Sequence, residues 1–242
     1  MDFPPLASLS LTHVHYDPTD PLSYLSAYLA LVPQALVITY VALIWSTREA
    51  EILLMFAGQM GCEGLNWILK RWIKEERPTR AETIEMHGKG YGMPSSHAQF
   101  VAYFSTFLTL FVLLRHNPHH AHASSTHIPT PYWQRLALAG LSMLGAVAVA
   151  QSRIYLNYHT PRQVYAGVLA GVVCATAWFA VTGVVRHLGL LYWLLDTGLA
   201  RWLRLRDLVV DEDLVDAGWE RWEDRRKRIA QSLKSKNDLK NK

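Results

Sequence analysis

The chain has 242 residues, half of them hydrophobic and only 18% charged, with a formal net charge of +4. About a quarter of the residues of a soluble globular domain are charged, so this composition is unusual for one. The apolar residues are also concentrated in long runs, which argues against a soluble protein with several buried helices. A helix needs about 20 mostly apolar residues to cross the ~30 Å core of a bilayer.

Five apolar runs predict membrane-spanning helices within residues 24–185, and therefore an all-α, multi-pass transmembrane helical bundle. Residues 1–23 are a polar lead, without the basic and apolar stretches of a cleavable signal. The predicted spans are Tyr24–Trp45, Ile52–Leu69, Ala98–Leu114, Leu136–Ala150 and Val164–Val185. Cys62 and Cys174 fall within these spans, so we expect packing residues rather than a disulfide.

The chain after the fifth run is less regular. In residues 186–206, Asp196 and Arg201 interrupt the apolar residues, which leaves two interpretations. This segment is either a sixth span or, as we favour, a helix lying in the membrane interface. Residues 207–242 form a charged tail whose basic residues could bind nucleic acid. On a multi-pass protein such a tail more often lies in the cytoplasm, so no nucleic-acid partner is expected.

A histidine-rich loop follows the third predicted span. Histidine clusters can bind metal ions. Here the histidines lie among Pro, Ser and Thr without ordered spacing, so we expect no metal site. They are His116, His119, His120, His122 and His127.

Unusual polar residues gather in the loops after the second and fourth predicted spans. If five helices cross in turn, these two loops emerge on one side of the membrane and the histidine-rich loop on the other. Arginine offers a planar fork to a phosphate and lysine a compact charge. The two loops therefore predict a common anion site. Its candidate residues are Lys70, Arg77, Ser95, Ser96, His97, Arg153 and His159.

Two helix starts add to this prediction. Ser96–Gln99 and Thr160–Gln163 both have the S/T-x-x-Q form of a capping box, and Pro161 suits the first helical position. Helix N-termini carry free N–H groups and attract anions. Each residue taken alone is more often an interface anchor or a simple cap. The combination with specific spacing favours a functional site.

The spacing of these residues resembles that of the type 2 phosphatidic acid phosphatase (PAP2) superfamily. Three motifs carry the resemblance, which covers roughly Lys70–Gln163 and implies a PAP2-like bundle. The motifs are Lys70 followed after six residues by Arg77-Pro78, then Pro94-Ser95-Ser96-His97, then Ser152-Arg153 followed after five residues by His159.

Two positions depart from the superfamily pattern. Ser96 replaces a glycine, and Gln163 replaces the aspartate that commonly follows the third-motif histidine by four residues. A carboxylate there would orient His159 and stabilise its charged form, whereas glutamine brings no charge. Either Gln163 orients His159 more weakly than a carboxylate would, or it mainly caps the helix and another group orients His159.

The third motif further resembles the dolichyldiphosphatase branch, because Ser152–Thr160 is followed by Gln163-Val164. This resemblance implies hydrolysis of dolichyl diphosphate to dolichyl phosphate and inorganic phosphate in the endoplasmic reticulum membrane, where dolichyl phosphate is recycled for protein N-glycosylation. Phosphatidic acid, a sphingoid base phosphate or a shorter polyprenyl diphosphate are alternative substrates. A non-catalytic lipid-binding or transport protein is a further alternative.

The resemblance also implies a mechanism. His159 would attack phosphorus to form a phosphohistidine, and His97 would protonate the leaving oxygen. Arg153 would hold the phosphate oxygens, as would Lys70 and Arg77, assisted by Ser95, Ser96 and Gln163. The basic residues would replace a metal ion, so no metal or other cofactor is expected. With five spans and a cytoplasmic tail, the site would face the lumen.

Overall fold

The computed structural model describes residues 7–9, 14–78, 90–117, 130–214, 219 and 222–232. Within this part of the chain, five segments are long and apolar enough to cross a membrane. They are Pro21–Thr47, Ala50–Ile73, Ser96–Arg115, Tyr132–Tyr155 and Pro161–His187. Each contains one of the predicted spans, so the prediction of a multi-pass helical bundle is confirmed.

The elements follow one another as a small hairpin and then helices. The strands are β1 (Ala7–Leu9) and β2 (Val14–Tyr16), which pair antiparallel with Ser8 opposite His15. The helices are α1 (Pro21–Leu29), α2 (Val32–Thr47), α3 (Ala50–Ile73), α4 (Ser96–Leu110) with a π-helical turn (Phe111–Arg115), α5 (Tyr132–Tyr155), α6 (Pro161–His187), α7 (Leu190–Leu195) and α8 (Gly198–Leu203). Residues 222–232 are also helical. The sequence analysis did not foresee the hairpin.

The first span is broken into α1 and α2 at Ala30 and Leu31. Pro33 lies in the first turn of α2, where its missing N–H costs least. The Leu31 N–H donates to the Tyr28 carbonyl at 2.9 Å, which closes a tighter turn at the break. The apolar pattern predicted one continuous span because it carries no information on where the helical hydrogen bonds of the backbone are interrupted.

Helix α4 lies at the centre of the bundle and packs most closely on α6. Two glycines of α6 allow this approach, since a Cβ at Gly167 would lie 2.6 Å from the Ser95 carbonyl oxygen. A Cβ at Gly171 would come closer still to the Gln99 carbonyl oxygen. Small residues spaced four apart let membrane helices meet backbone to backbone. The contact draws the N-terminal end of α4 against that of α6.

Polar side chains inside the bundle join α3 to α4. The Gln99 amide donates to the Cys62 carbonyl at 2.8 Å and accepts from the Asn66 amide at 2.7 Å. The prediction of a capping box over Ser96–Gln99 is therefore wrong. Ser95 is the N-cap residue and makes no capping side-chain hydrogen bond. Gln99 is fully buried, and its amide satisfies polar groups of α3 rather than the helix end.

The apolar core lies deeper, between α2, α3, α4 and α6. Tyr103 and Phe107 of α4 are fully buried there and stack with ring centroids 5.9 Å apart. Ala175 of α6 and Met55 of α3 belong to the same cluster. Cys62 lies in this core and Cys174 packs against it, and both are free thiols. The expectation of packing cysteines is therefore confirmed.

An ion-pair network closes the opposite end of α3 from Lys70. Glu51 is 3% exposed, and its carboxylate contacts Arg115 and Arg186, each at 2.5 Å. The Glu49 carboxylate accepts the backbone N–H of Leu208 at 2.8 Å. At 1.5 Å of rise per residue, Glu51 and Lys70 are separated by ~28 Å along α3. The segment after α8 is thus attached to the end of the bundle farthest from Lys70.

Residues 186–206 contain α7 and α8, each six residues long. Neither helix is long enough to cross a bilayer. Their location in the membrane interface stays a prediction. In the histidine-rich loop, His116 is buried and contacts the Val209 carbonyl oxygen and the Asp213 carboxylate. His119, His120, His122 and His127 lie outside the described residues.

Candidate active site

The loops after the second and fourth spans meet at one end of the bundle. The Ser95 N–H donates to the Gln163 carbonyl at 3.1 Å, which links the start of α4 to the start of α6. The Gln163 side-chain amide donates to the Glu75 carboxylate at 3.1 Å and to the Glu76 carbonyl at 2.7 Å. Because α3 ends just before Glu75, these bonds bring three helix ends to a common centre.

A short connection between α5 and α6 places two of the predicted residues. Arg153 lies in the last turn of α5, and its carbonyl accepts the N–H groups of Tyr158 and His159 at 3.1 and 3.3 Å. Asn157 takes a left-handed conformation with φ 56°, which turns the chain back toward α6. His159 is consequently held next to Arg153 and is only 3% exposed.

The start of α6 fixes the imidazole of His159. The predicted capping box is confirmed here, since the Thr160 hydroxyl accepts the Gln163 N–H and the Gln163 side chain accepts the Thr160 N–H. The same Gln163 Oε1 lies 3.1 Å from His159 Nδ1. A carbonyl oxygen only accepts, so Nδ1 carries the proton. The neutral ring then has its lone pair on Nε2.

His97 lies in the first turn of α4, on the other side of the site. Its Nε2 is 3.1 Å from the Ala30 carbonyl oxygen at the break between α1 and α2. That carbonyl is an obligatory acceptor, so Nε2 carries a proton and Nδ1 is the atom whose protonation can change. His97 and His159 lie within electrostatic range of each other, and Arg153 and Lys70 act on both rings.

The basic residues hold donors that lack partners among the described residues. These atoms are Arg153 Nε and Nη1 and Arg77 Nε, all of them buried. The buried Ser95 hydroxyl likewise has no hydrogen-bond partner among the described residues. Arg153 is 4% exposed and stacks over the Tyr158 ring at 4.4 Å. A buried guanidinium without an acceptor is costly, and a phosphate would satisfy it. The arrangement is that of an anion site.

The electrostatics of the site keep His159 neutral. Burial, and next the positive charge of Arg153, lower the pKa of His159 to about 3, with smaller contributions from Arg77 and Lys70. The hydrogen bond to Gln163 acts in the opposite direction. A neutral imidazole is the nucleophilic form. Burial also lowers the pKa of Arg77, although a guanidinium stays protonated in proteins.

A cavity of about 280 Å³ opens beside His97 between α2, α3 and α4. Its lining joins the polar side chains of Ser96, His97 and Glu63 to apolar groups such as Phe100 and Met60. One carboxylate oxygen of Glu63 is buried without a hydrogen-bond partner in the described part of the chain. The cavity thus places apolar surface directly beside His97.

All eight predicted site residues lie within the described residues. Arg153, Lys70 and Arg77 act electrostatically on His159, and the first two also act on His97. Ser95 is bonded to Gln163, which contacts His159, and Ser96 lines the cavity next to His97. The carbonyl of Ala30 and the side chain of Glu75 also belong to the site, although no sequence motif pointed to them. Glu75 follows Lys74 in a charged run, which looks like an ordinary solvated loop. No group of three or more potential metal-ligating His, Cys, Asp or Glu residues occurs in the described ranges.

This chain is similar to known phosphatases in its family domain and along most of its length. Residues 49–186 match the model of the PAP2 superfamily. A Neurospora crassa protein with the provisional name dolichyldiphosphatase is 49% identical, over 92% of this chain and 93% of its own. Dolichyldiphosphatase 1 of Dictyostelium discoideum is 33% identical over 87% of both chains. Human dolichyldiphosphatase 1 is 38% identical over 72% of this chain and 71% of its own.

A solved structure shares the fold. The transmembrane PAP2-type phosphatidylglycerolphosphate phosphatase of Bacillus subtilis superposes with a TM-score of 0.55 and 20% identity. The match covers 69% of this chain and 79% of that one. At this identity the similarity establishes the helical architecture.

Proposed function

Because this chain belongs to the PAP2 superfamily, we propose that it is a membrane phosphatase that hydrolyses dolichyl diphosphate to dolichyl phosphate and inorganic phosphate. The observation that carries the proposal is a pair of histidines beside buried guanidinium donors for which the described part of the chain provides no acceptor. The choice of lipid rests on the dolichyldiphosphatase relatives, which extend over most of the chain.

In the first step, His159 Nε2 attacks the terminal phosphorus of the diphosphate. A P–N bond forms and the bond from phosphorus to the bridging oxygen breaks. His97 enters this step as an imidazolium, whose charge the bound diphosphate anion stabilises. Its Nδ1 gives a proton to the departing dolichyl phosphate oxygen, while the Nε2 N–H stays bonded to the Ala30 carbonyl. The product is a phosphohistidine at His159 and a released lipid monophosphate.

In the second step, water attacks the phosphorus of the phosphohistidine. His97 Nδ1, neutral after the first step, accepts a proton from this water. The P–N bond breaks, inorganic phosphate leaves, and both imidazoles return to their starting protonation states. The same two side chains therefore serve both halves of the reaction.

The basic residues stabilise the charge on the transferred phosphoryl group. Arg153 presents two buried N–H donors, Arg77 a third, and Lys70 adds a positive charge. Fixed donors in a site sheltered from water contribute most to the stabilisation of a phosphoryl-transfer transition state. The Ser95 and Ser96 hydroxyls are placed at the positive end of α4, where they assist.

The site lies at the end of the spans, where a lipid headgroup meets water. The cavity between α2, α3 and α4 opens beside His97, and its apolar lining by Val37, Met60 and Phe100 suits the first part of a polyprenyl chain. The segment after α8 is bonded to the opposite end of the bundle. With that segment and the basic tail in the cytoplasm, the site faces the lumen of the endoplasmic reticulum.

Phosphate release by the purified protein in detergent tests this function. We expect faster release from dolichyl diphosphate than from phosphatidic acid, and complete loss of release in His159→Ala and in His97→Ala. His187→Ala is the matched control, because His187 lies in the last turn of α6, far from the site. Faster release from phosphatidic acid would point to another lipid phosphatase of the superfamily. Undiminished release by His159→Ala would exclude the proposed nucleophile.

A further inference from the structure

We propose that Glu75 is the carboxylate that orients the nucleophilic histidine and stabilises the positive charge the ring gains during the reaction, acting through Gln163 as a positioning residue. The proposal rests on the proposed function, since it concerns the same reaction. A carboxylate commonly follows the third-motif histidine by four residues, and Gln163 stands there instead. The structure supplies a carboxylate from another loop, one hydrogen bond farther away.

A continuous chain of hydrogen bonds joins the two groups. His159 Nδ1 donates to Gln163 Oε1 at 3.1 Å, and Gln163 Nε2 donates to Glu75 Oε1 at 3.1 Å. Gln163 is fully buried, so no water competes for its amide. The carboxylate therefore acts on the imidazole through one polarisable group.

The direction of this chain is fixed. The Gln163 amide nitrogen has two hydrogens, and both have obligatory acceptors, the Glu75 carboxylate and the Glu76 carbonyl. Its oxygen must then face the Thr160 N–H and the His159 ring. In the reversed orientation the amide N–H groups would face the Thr160 N–H donor. Glu75 thus helps to select the tautomer of His159 with a proton on Nδ1.

The backbone around Glu75 holds it in this position. Lys74 ends α3 in a left-handed conformation with φ 53°, which turns the chain toward α6. The Glu75 carbonyl accepts the Gly92 N–H at 2.7 Å. A Cβ at Gly92 would lie 2.7 Å from both polar atoms of the Gln163 amide. A side chain at position 92 would displace the Gln163 amide, so the glycine lets residues 75, 76 and 92 all pack against it.

The chemistry needs a negative charge at this point. When Nε2 bonds to phosphorus, the imidazole ring gains positive charge. Among the described residues, Arg153, Arg77, Lys70 and His97 act electrostatically on the ring, all of them cationic or neutral, and they oppose that gain. Glu75 is the acid in hydrogen-bond connection with His159, and its charge offsets part of this opposition.

Glu75→Gln tests the charge, because a glutamine oxygen still accepts the hydrogen bond from Gln163. We expect kcat for dolichyl diphosphate to fall by about 10- to 100-fold with KM unchanged, by analogy with the loss of an outer hydrogen-bond partner from a metal-bound histidine. Glu76→Gln is the matched control. Glu76 contributes its backbone carbonyl to Gln163 and its side chain is exposed, so this variant should retain full activity.

A charge exchange provides the second test. Gln163→Glu places a second carboxylate against Glu75, and we expect it to lose activity through like-charge repulsion. In the double variant with Glu75→Gln, the amide introduced at position 75 can donate to the carboxylate introduced at position 163. That carboxylate then contacts His159 directly. The double variant should be more active than Gln163→Glu alone. No recovery in the double variant would contradict the inference that a carboxylate on this hydrogen-bond chain supports His159.

The tautomer of His159 supplies a measurement that does not depend on turnover. In the full-length protein with 15N-labelled histidine, we expect the Nδ1–H form at neutral pH, and a mixture of tautomers in Glu75→Ala. A wild-type protein inactive on every lipid diphosphate would refute the proposed function, while the tautomer still decides the role of Glu75. Equal kcat in Glu75→Gln and Glu76→Gln, or an unchanged tautomer in Glu75→Ala, would overturn this inference.

Discussion

Substitution of Gly167 by alanine should misplace the two histidines relative to each other without touching either one. The new Cβ would lie 2.6 Å from the Ser95 carbonyl oxygen, and ordinary contact begins near 3.4 Å. The contact atom belongs to the backbone and cannot rotate away, so α4 and α6 must separate by about 0.8 Å. His97 moves with α4, whereas His159 just precedes α6 and is bonded to Gln163 in its first turn.

A displacement of this size has a large effect on a reaction that depends on alignment. A misplacement of 1 Å can lower the rate by ~10²-fold, so we expect kcat to fall by about one to two orders of magnitude in Gly167→Ala. Overpacking should also reduce stability by ~1–3 kcal/mol. Phosphate release from dolichyl diphosphate and thermal unfolding of the purified variant measure the two effects.

Gly145→Ala is the matched control for this prediction. Gly145 lies in α5, and a Cβ there would meet nothing within 4 Å. This variant makes the same chemical change in another membrane span and should keep wild-type activity. If Gly167→Ala and Gly145→Ala were equally active, the close contact between α4 and α6 would not set the geometry of the site.

Three further predictions concern the charges of the site. Arg153→Lys should lower kcat/KM by about 10²-fold, because lysine cannot offer the two buried donors of the guanidinium fork; unchanged kcat/KM would contradict this. The pKa of His159 is about 3 in the folded state and lies below its value in the unfolded state. At a pH between these two values the unfolded state has His159 protonated and the folded state does not. Stability should therefore decrease as pH falls below ~6.5, and it should decrease less steeply in His159→Asn. The same dependence of melting temperature on pH in both proteins would show that His159 does not cause the decrease. Incubation with a chelator should leave phosphate release unchanged, and loss restored by magnesium would show that the basic residues do not suffice.

The membrane architecture was readable from the sequence because apolar runs report directly on spans. The pattern could not show the break at Ala30, since it depends on how Pro33 and the chain before it pack. The two predicted capping boxes also show how tertiary packing can override a local pattern. Thr160–Gln163 forms one, whereas at Ser96–Gln99 the burial of Gln99 against Asn66 and Cys62 overrides the local signal.

The site residues named from the sequence are those whose type and spacing carry chemistry by themselves. Glu75 escaped notice because a carboxylate in a charged loop is usually solvated. Its contact with Gln163 joins residues 88 positions apart and requires Gly92 to lie beside the amide. Contacts of this kind arise from tertiary packing, and no local periodicity predicts them.

Trapping of the covalent intermediate tests the central claim most directly. The wild-type protein is mixed with dolichyl diphosphate labelled at its terminal phosphorus and quenched in alkali within the first turnover. The label should appear on the peptide that contains His159, as a phosphohistidine, and should be absent in His159→Ala. Label on His97, or turnover without any labelled histidine, would contradict the account.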